Sequence, residues 1–247
     1  ITCRDWSSDV CSSDLLHQSF YSPALQQEKK YCIYLPPTYY QNEAKRYSTL
    51  YLLPGLMDYE RSWCDHGRIH EHMDNLIYSG RTGEMIVVMP DKEYPMCLDI
   101  QGADPFAIYL GVDLVEYIDG RYRTISHRSH RGIEGLSLGA GWALRMILDF
   151  PNLYCSVSCL SGGYSQEHRK MFSQRKEYLQ KEGTRFRVAA GRDEPEFVDN
   201  SREFAQFLRD IGFYCEFSLD DGPHEWSLWT KQVYHSLQFH YYSFNPS

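Results

Sequence analysis

The sequence predicts an α/β fold with a mostly parallel central sheet and helices on both faces. Three observations carry this. Short β-rich apolar runs alternate with longer amphipathic segments over almost the whole chain. No Pro/Gly/Ser-rich tract divides it and no segment repeats, so one domain is expected. Runs such as MIVVMP (85–90) are apolar, as strands covered on both faces require.

The predicted strands, in order, are YCIYLP (31–36), STLYLL (48–53), MIVVMP (85–90), GIEGL (132–136), CSVSCL (155–160), RFRVAA (185–190) and YCEFSL (214–219). Between them, apolar residues recur at helical spacing over about 66–79, 107–120, 139–149, 166–182, 199–211 and 225–240. NSREFAQFLRDIG ends on a glycine suited to close a helix. The opening ITCRDWSSDVCSSDL repeats SSD and carries no apolar period. It resembles translated sequencing-adapter read-through, so residues 1–14 are set aside and the domain is expected over 15–247.

Composition narrows the function. Of 247 residues, 43% are hydrophobic and 23% charged, as in an ordinary globular protein. A net charge of −8 argues against a general nucleic-acid binder, which needs a basic surface. The apolar runs are too short to cross a bilayer, and no membrane partner is expected. Eight cysteines, at 3, 11, 32, 64, 97, 155, 159 and 215, form no CxxC and no tight pairs. Free buried thiols are expected, which favours a reducing, cytoplasmic setting. The oligomeric state is not legible. Twenty tyrosines and five tryptophans are more than a core of this size needs, which leaves some to line a pocket.

The chemistry centres on EGLSLGAGW (134–142). An apolar strand runs into Gly-Leu-Ser-Leu-Gly and a helix follows at once. That context marks a nucleophile elbow, in which a tight strand–turn–helix lifts the Ser137 hydroxyl above the sheet edge. A serine needs a base. Of the histidines downstream, His168 sits in a charged QEHRK stretch and reads as solvated surface, while His235 and His240 fall inside the last helix. His224, in the Gly-Pro loop DDGPHEW after the strand YCEFSL, is the candidate base. The acid is expected just past RFRVAAG, where Asp193 is best placed and Glu194 and Glu196 stand close behind. Asp220 and Asp221 are rivals that read as turn residues. The oxyanion requires backbone donors. The N–H of Leu138 follows the nucleophile, and Leu56, after the close-approach Gly55 in PGLMDYERSW, is the facing donor.

Two further clusters stand out. CDHGRIHEHMD would put His66 and His70 on one helix face, but it lacks the HExxH order; a surface helix is expected and a metal site is not. Trp226, two residues past His224, is the better pocket-wall candidate, with Trp142 the weaker because it opens a buried helix.

YLLPGLMDYERSW, IVVMPD, EYIDGRYRT, GLSLGAGWAL, LSGG (160–163), AGRDE and GPHEWSLW occur in that order. Together they resemble the putative-esterase family of α/β-hydrolases, which includes esterase D-like, tributyrin-esterase-like and feruloyl-esterase proteins. The resemblance begins near residue 19. It implies an α/β-hydrolase fold, a triad of Ser137, Asp193 and His224, oxyanion amides at Leu56 and Leu138, and no cofactor. The family usually has His-Gly where this chain has Pro54-Gly55, and often Met where it has Leu138. The stretch after LSGG leaves little room for a lid. The expected activity is hydrolysis of short-chain acyl or hydroxycinnamoyl esters, with carbohydrate-linked esters favoured. The alternatives are an acyltransferase of the same fold and a catalytically silent carbohydrate-binding or scaffold protein.

Overall fold

A computed structural model describes residues 13–92 and 104–246. Eight strands form one sheet in the order β1-β2-β4-β3-β5-β6-β7-β8. They are β1 (Asp14–Ser22), β2 (Gln27–Leu35), β3 (Ser48–Leu53), β4 (Met85–Pro90), β5 (Arg131–Leu136), β6 (Ser156–Leu160), β7 (Arg185–Gly191) and β8 (Tyr214–Asp220). From β4 to β8 every neighbouring pair is parallel, while β2 runs antiparallel to both β1 and β4. This is the mostly parallel α/β architecture of the hydrolases. The α/β-hydrolase expectation therefore holds.

The strands bury both faces because their residues alternate between two cores. Tyr31, Ile33, Tyr51, Leu53, Ile86 and Val88 pack toward α3 (Pro105–Ile108), α4 (Leu114–Arg121), α5 (Leu138–Asp149), α6 (Gln166–Lys181) and α7 (Pro195–Asp210). Cys32, Tyr34, Leu50, Leu52, Val87 and Met89 pack toward α1 (Ser62–Asp65), α2 (Ile69–Tyr78) and α8 (Trp226–Phe244). A π-helical turn (Tyr109–Asp113) joins α3 to α4, and Gly111 there admits the Phe150 ring against the backbone. No helix among the described residues is long and apolar enough to cross a membrane. The five described cysteines, 32, 64, 155, 159 and 215, are unpaired and buried; Cys3, Cys11 and Cys97 lie outside the described residues.

Several boundaries differ from expectation. β1 was not foreseen, and it takes in Asp14, which pairs with Leu35, while the Ser13 hydroxyl donates to Asp74 at 2.8 Å. The last two residues of the segment set aside thus join the fold; residues 1–12 lie outside the described residues. The helix expected over 66–79 begins only at Ile69, as α2, and a separate short helix, α1, ends just before it at Asp65. Gly67 packs under the Trp226 ring, Arg68 takes φ 50°, and the axis breaks there, so His66 and His70 share no helix face. His168 is not solvated surface. It is 3% exposed and caps α6, its Nδ1 accepting the Ser165 N–H while its own N–H donates to the Ser165 hydroxyl.

Candidate active site

The elbow comes from three close backbone approaches. Ser137 lies between β5 and α5 at φ 52°, ψ −118°, and its N–H donates to Leu160 O at 2.8 Å. A Cβ on Gly135 would lie 2.0 Å from Gly139 O, and one on Gly139 would lie 2.4 Å from Leu53 O. Helix, strand and the end of β3 therefore meet only because both positions are glycine. The result presents the Ser137 hydroxyl at the carboxyl edge of the sheet. Leu138 is the first residue of α5, where a backbone N–H has no partner within the helix.

His224 lies in the loop from β8 to α8. Its Nε2 is 2.9 Å from Ser137 Oγ, and its Nδ1 is 2.6 Å from Glu194 Oε1. The carboxylate on the imidazole is thus Glu194, and the placement expected for Asp193 is corrected. The turn Gly191–Glu194, closed by Glu194 N–H to Gly191 O, puts exposed Asp193 at its apex and turns Glu194 inward as α7 begins. The Glu194 side chain is fully buried. Its Oε2 accepts from Ser161 Oγ at 2.8 Å and from the Gly191 N–H. Ser161 Oγ in turn accepts the Trp229 indole N–H at 3.1 Å. Phe197 stacks on the imidazole at 4.4 Å and 10°, and the Trp229 ring meets it edge-on at 4.9 Å. The ring is gripped on its faces and at both nitrogens. Asp220, expected in a turn, is the last residue of β8 and accepts from Gln232, while Asp221 pairs with Arg192 at the surface.

The facing loop follows β3. Asp58 Oδ2 accepts the Gly55 N–H at 3.1 Å, and Asp58 Oδ1 accepts the Trp226 indole N–H at 3.0 Å. Lys92, buried behind the loop, donates to Gly55 O. Burial pulls the Lys92 amine down to about 8 from its ordinary 10.5, with the Asp58 and Asp91 carboxylates acting the other way. A cleft of about 390 Å³ opens over Ser137 and His224, walled by Gly55, Leu56, Met57 and Trp226. Met57 is 89% exposed at its lip. Trp142 is not on this wall: it is buried at the start of α5, edge-on to Phe106. Only five residues, 161–165, connect β6 to α6, so nothing inserted there covers the cleft.

The structure therefore gathers Ser137, His224, Gly55, Leu56, Leu138 and Trp226, and leaves Asp193 and Trp142 outside. Ser161, Phe197, Asp58 and Lys92 had no assigned part in the sequence reading, and Glu194 stood there only behind Asp193. The blocks LSGG, AGRDE and YLLPGLMDYERSW contain Ser161, Glu194 and Asp58, whereas nothing in the sequence pointed to Phe197 or Lys92. Among the described residues, no group of three or more His, Cys, Asp or Glu side chains is arranged to hold a metal ion.

The family described as "Putative esterase" matches residues 22–240. The chain belongs to this esterase family. The endo-1,4-β-xylanase/feruloyl esterase of Xylanibacter ruminicola is 26% identical over 237 residues, covering 92% of this chain and 31% of that protein. The chain thus spans about a third of that two-activity relative. An acetyl esterase of Caldicellulosiruptor saccharolyticus is 22% identical over 232 residues, covering 80% of this chain and 84% of its own. Among solved structures, a ferulic acid esterase superposes with a TM-score of 0.85 at 26% identity, covering 95% of this esterase-family chain and 99% of its own.

Proposed function

We propose that the chain is a serine carboxylesterase that cleaves feruloyl-type or short-chain acyl esters, with carbohydrate-linked esters the favoured substrates. The observation that carries this is the continuous relay from Ser137 Oγ through His224 to buried Glu194. Ser137 attacks the ester carbonyl carbon while His224 Nε2 takes its proton. The Leu56 and Leu138 N–H groups receive the charge that develops on the carbonyl oxygen. His224 returns the proton to the leaving alcohol, and an acyl-Ser137 remains. Water, activated by the same imidazole, then hydrolyses the acyl-enzyme. Glu194 holds the imidazole tautomer and balances the imidazolium while staying a carboxylate.

The substrate class is supported by the cleft with Trp226 and Met57 at its wall, open among the described residues, which suits an aromatic acyl group carried on a bulky alcohol. The feruloyl and acetyl esterase relatives lie on the same side. The test is a panel of p-nitrophenyl acyl esters, methyl ferulate and acetylated xylan, with wild type and Ser137→Ala. Wild type should hydrolyse at least one class, and Ser137→Ala should lose about 10⁴-fold or more in kcat. Full activity in Ser137→Ala rejects the mechanism.

A further inference from the structure

We propose that Lys92 and Asp58 are positioning residues that aim the Leu56 N–H at the oxyanion by holding both polar groups of Gly55. This rests on the serine-esterase reading above, in which that N–H is a donor to the reacting oxygen.

The Gly55 carbonyl and the Leu56 N–H belong to one planar trans peptide, so they point in opposite directions. Whatever binds the carbonyl therefore aims the amide. Lys92 Nζ donates to Gly55 O from behind the loop, and the Asp58 N–H approaches the same oxygen at 3.3 Å. Lys92 is not part of the cleft wall; with Pro54 and Trp142 it lines a separate small space beside the loop. With the carbonyl turned to that side, the Leu56 N–H is turned toward the cleft that Leu56 and Ser137 share.

Gly55 is where such a restraint is needed. A Cβ there would lie 2.5 Å from Leu136 Cδ1 and 2.7 Å from Asp58 Oδ2, so a larger residue would push aside the carboxylate that holds the loop. Glycine has the weakest intrinsic preference for one peptide orientation. Side chains supply what a Cβ would otherwise impose. Asp58 adds a second hold, since its two oxygens bind the Gly55 N–H and the Trp226 indole, two residues from His224. The donor loop and the base loop are thereby tied through one carboxylate. Keeping a lysine where burial depresses its amine to about 8 is costly, and the Gly55 carbonyl gives that placement a purpose.

The test compares wild type with Lys92→Met, Lys92→Gln and Asp58→Asn on p-nitrophenyl acetate. It also measures inhibition by an alkyl boronic acid, whose adduct with Ser137 mimics the oxyanion. Lys92→Met should lower kcat about 10- to 100-fold with KM within about twofold, and weaken boronate binding by the same factor. Lys92→Gln keeps an N–H donor and should recover much of both losses. Asp58→Asn should show the same split between kcat and KM, and carries the test if Lys92→Met does not fold. A kcat and boronate affinity within twofold of wild type in these variants overturns the inference alone, because Ser137-dependent hydrolysis is then intact. Wild type without any Ser137-dependent hydrolysis overturns the esterase reading and this inference together.

Discussion

Glu194 reaches His224 with one carboxylate oxygen, at 2.6 Å, while Ser161 holds the other at 2.8 Å. The acid is thus fixed at both ends, and Asp193 beside it faces solvent. Glu194→Gln should lower kcat by about 10³- to 10⁴-fold, because an amide N–H can oppose the Nδ1 proton and favour the wrong tautomer. Asp193→Asn should stay within about twofold of wild type. Steady-state kinetics on one ester decide between them, and the reverse ranking would restore Asp193 as the acid.

Ser161→Ala removes one of the two donors to Glu194 Oε2 and leaves the buried Trp229 indole N–H without its acceptor. The unpaired groups should cost about 1–3 kcal/mol of stability. A looser carboxylate should reduce kcat roughly 5- to 50-fold. Thermal melts and kinetics on the same preparation read both effects. An unchanged melt together with an unchanged rate rejects the role given to Ser161.

Gly135→Ala puts a methyl group where the Gly139 carbonyl oxygen already lies, at 2.0 Å. Neither partner is a flexible side chain, so strand and helix must separate. The expected loss is about 3 kcal/mol or more, with little folded protein at 37 °C. Gly80→Ala is the contrast for space, since nothing lies within 4 Å of a Cβ there, although its φ of 68° leaves some strain. Denaturant titration should rank Gly135→Ala as much the more damaging.

Acid should weaken the fold through His168. Burial holds its imidazole below the ordinary 6.5, with Glu167 acting in the opposite sense. Above pH 6.5 the folded and unfolded chains are both neutral at this residue. As pH falls below 6.5 the unfolded chain takes up the proton first, so stability declines until the lowered folded value is passed. Protonation also removes the Nδ1 acceptor that caps α6. His168→Gln keeps a residue able to serve in the capping box and should melt near wild type at pH 8. Below pH 6.5 its decline should be shallower than that of wild type, because the buried imidazole that resists protonation is gone. Melts across that range that run parallel to wild type would count against the assignment.

Residues whose roles depend on short-range order were legible. STLYLL and MIVVMP are strands over the spans expected, since an unbroken apolar run bounded by turn residues leaves few alternatives. Ser137 and His224, which the structure brings within 2.9 Å of each other, could be singled out because each sits in a short loop directly after an apolar strand. The acid was harder. Asp193 and Glu194 are adjacent carboxylates in one turn, and only the path from Gly191 into α7 decides which points inward. β1 has exposed His17, Gln18 and Ser19 at a sheet edge, so its apolar signal is diluted. The charged neighbours of His168 suggested solvent, but a cap buries one residue amid a solvated turn. Trp142 and Trp226 have the same chemistry; which of them faces the cleft is a matter of helix rotation, and α5 is buried over most of its length.

The strand order has a consequence for how the protein stops working. Ser137 extends from β5, flanked on both sides by paired strands, whereas His224 follows β8, the rim of the sheet. Rims open first. A molecule that begins to loosen at that rim parts from its proton acceptor while the nucleophile is still shaped and presented. The hydroxyl it keeps is then as inert as any alcohol, so early damage yields a silent protein and not an indiscriminate acylating one.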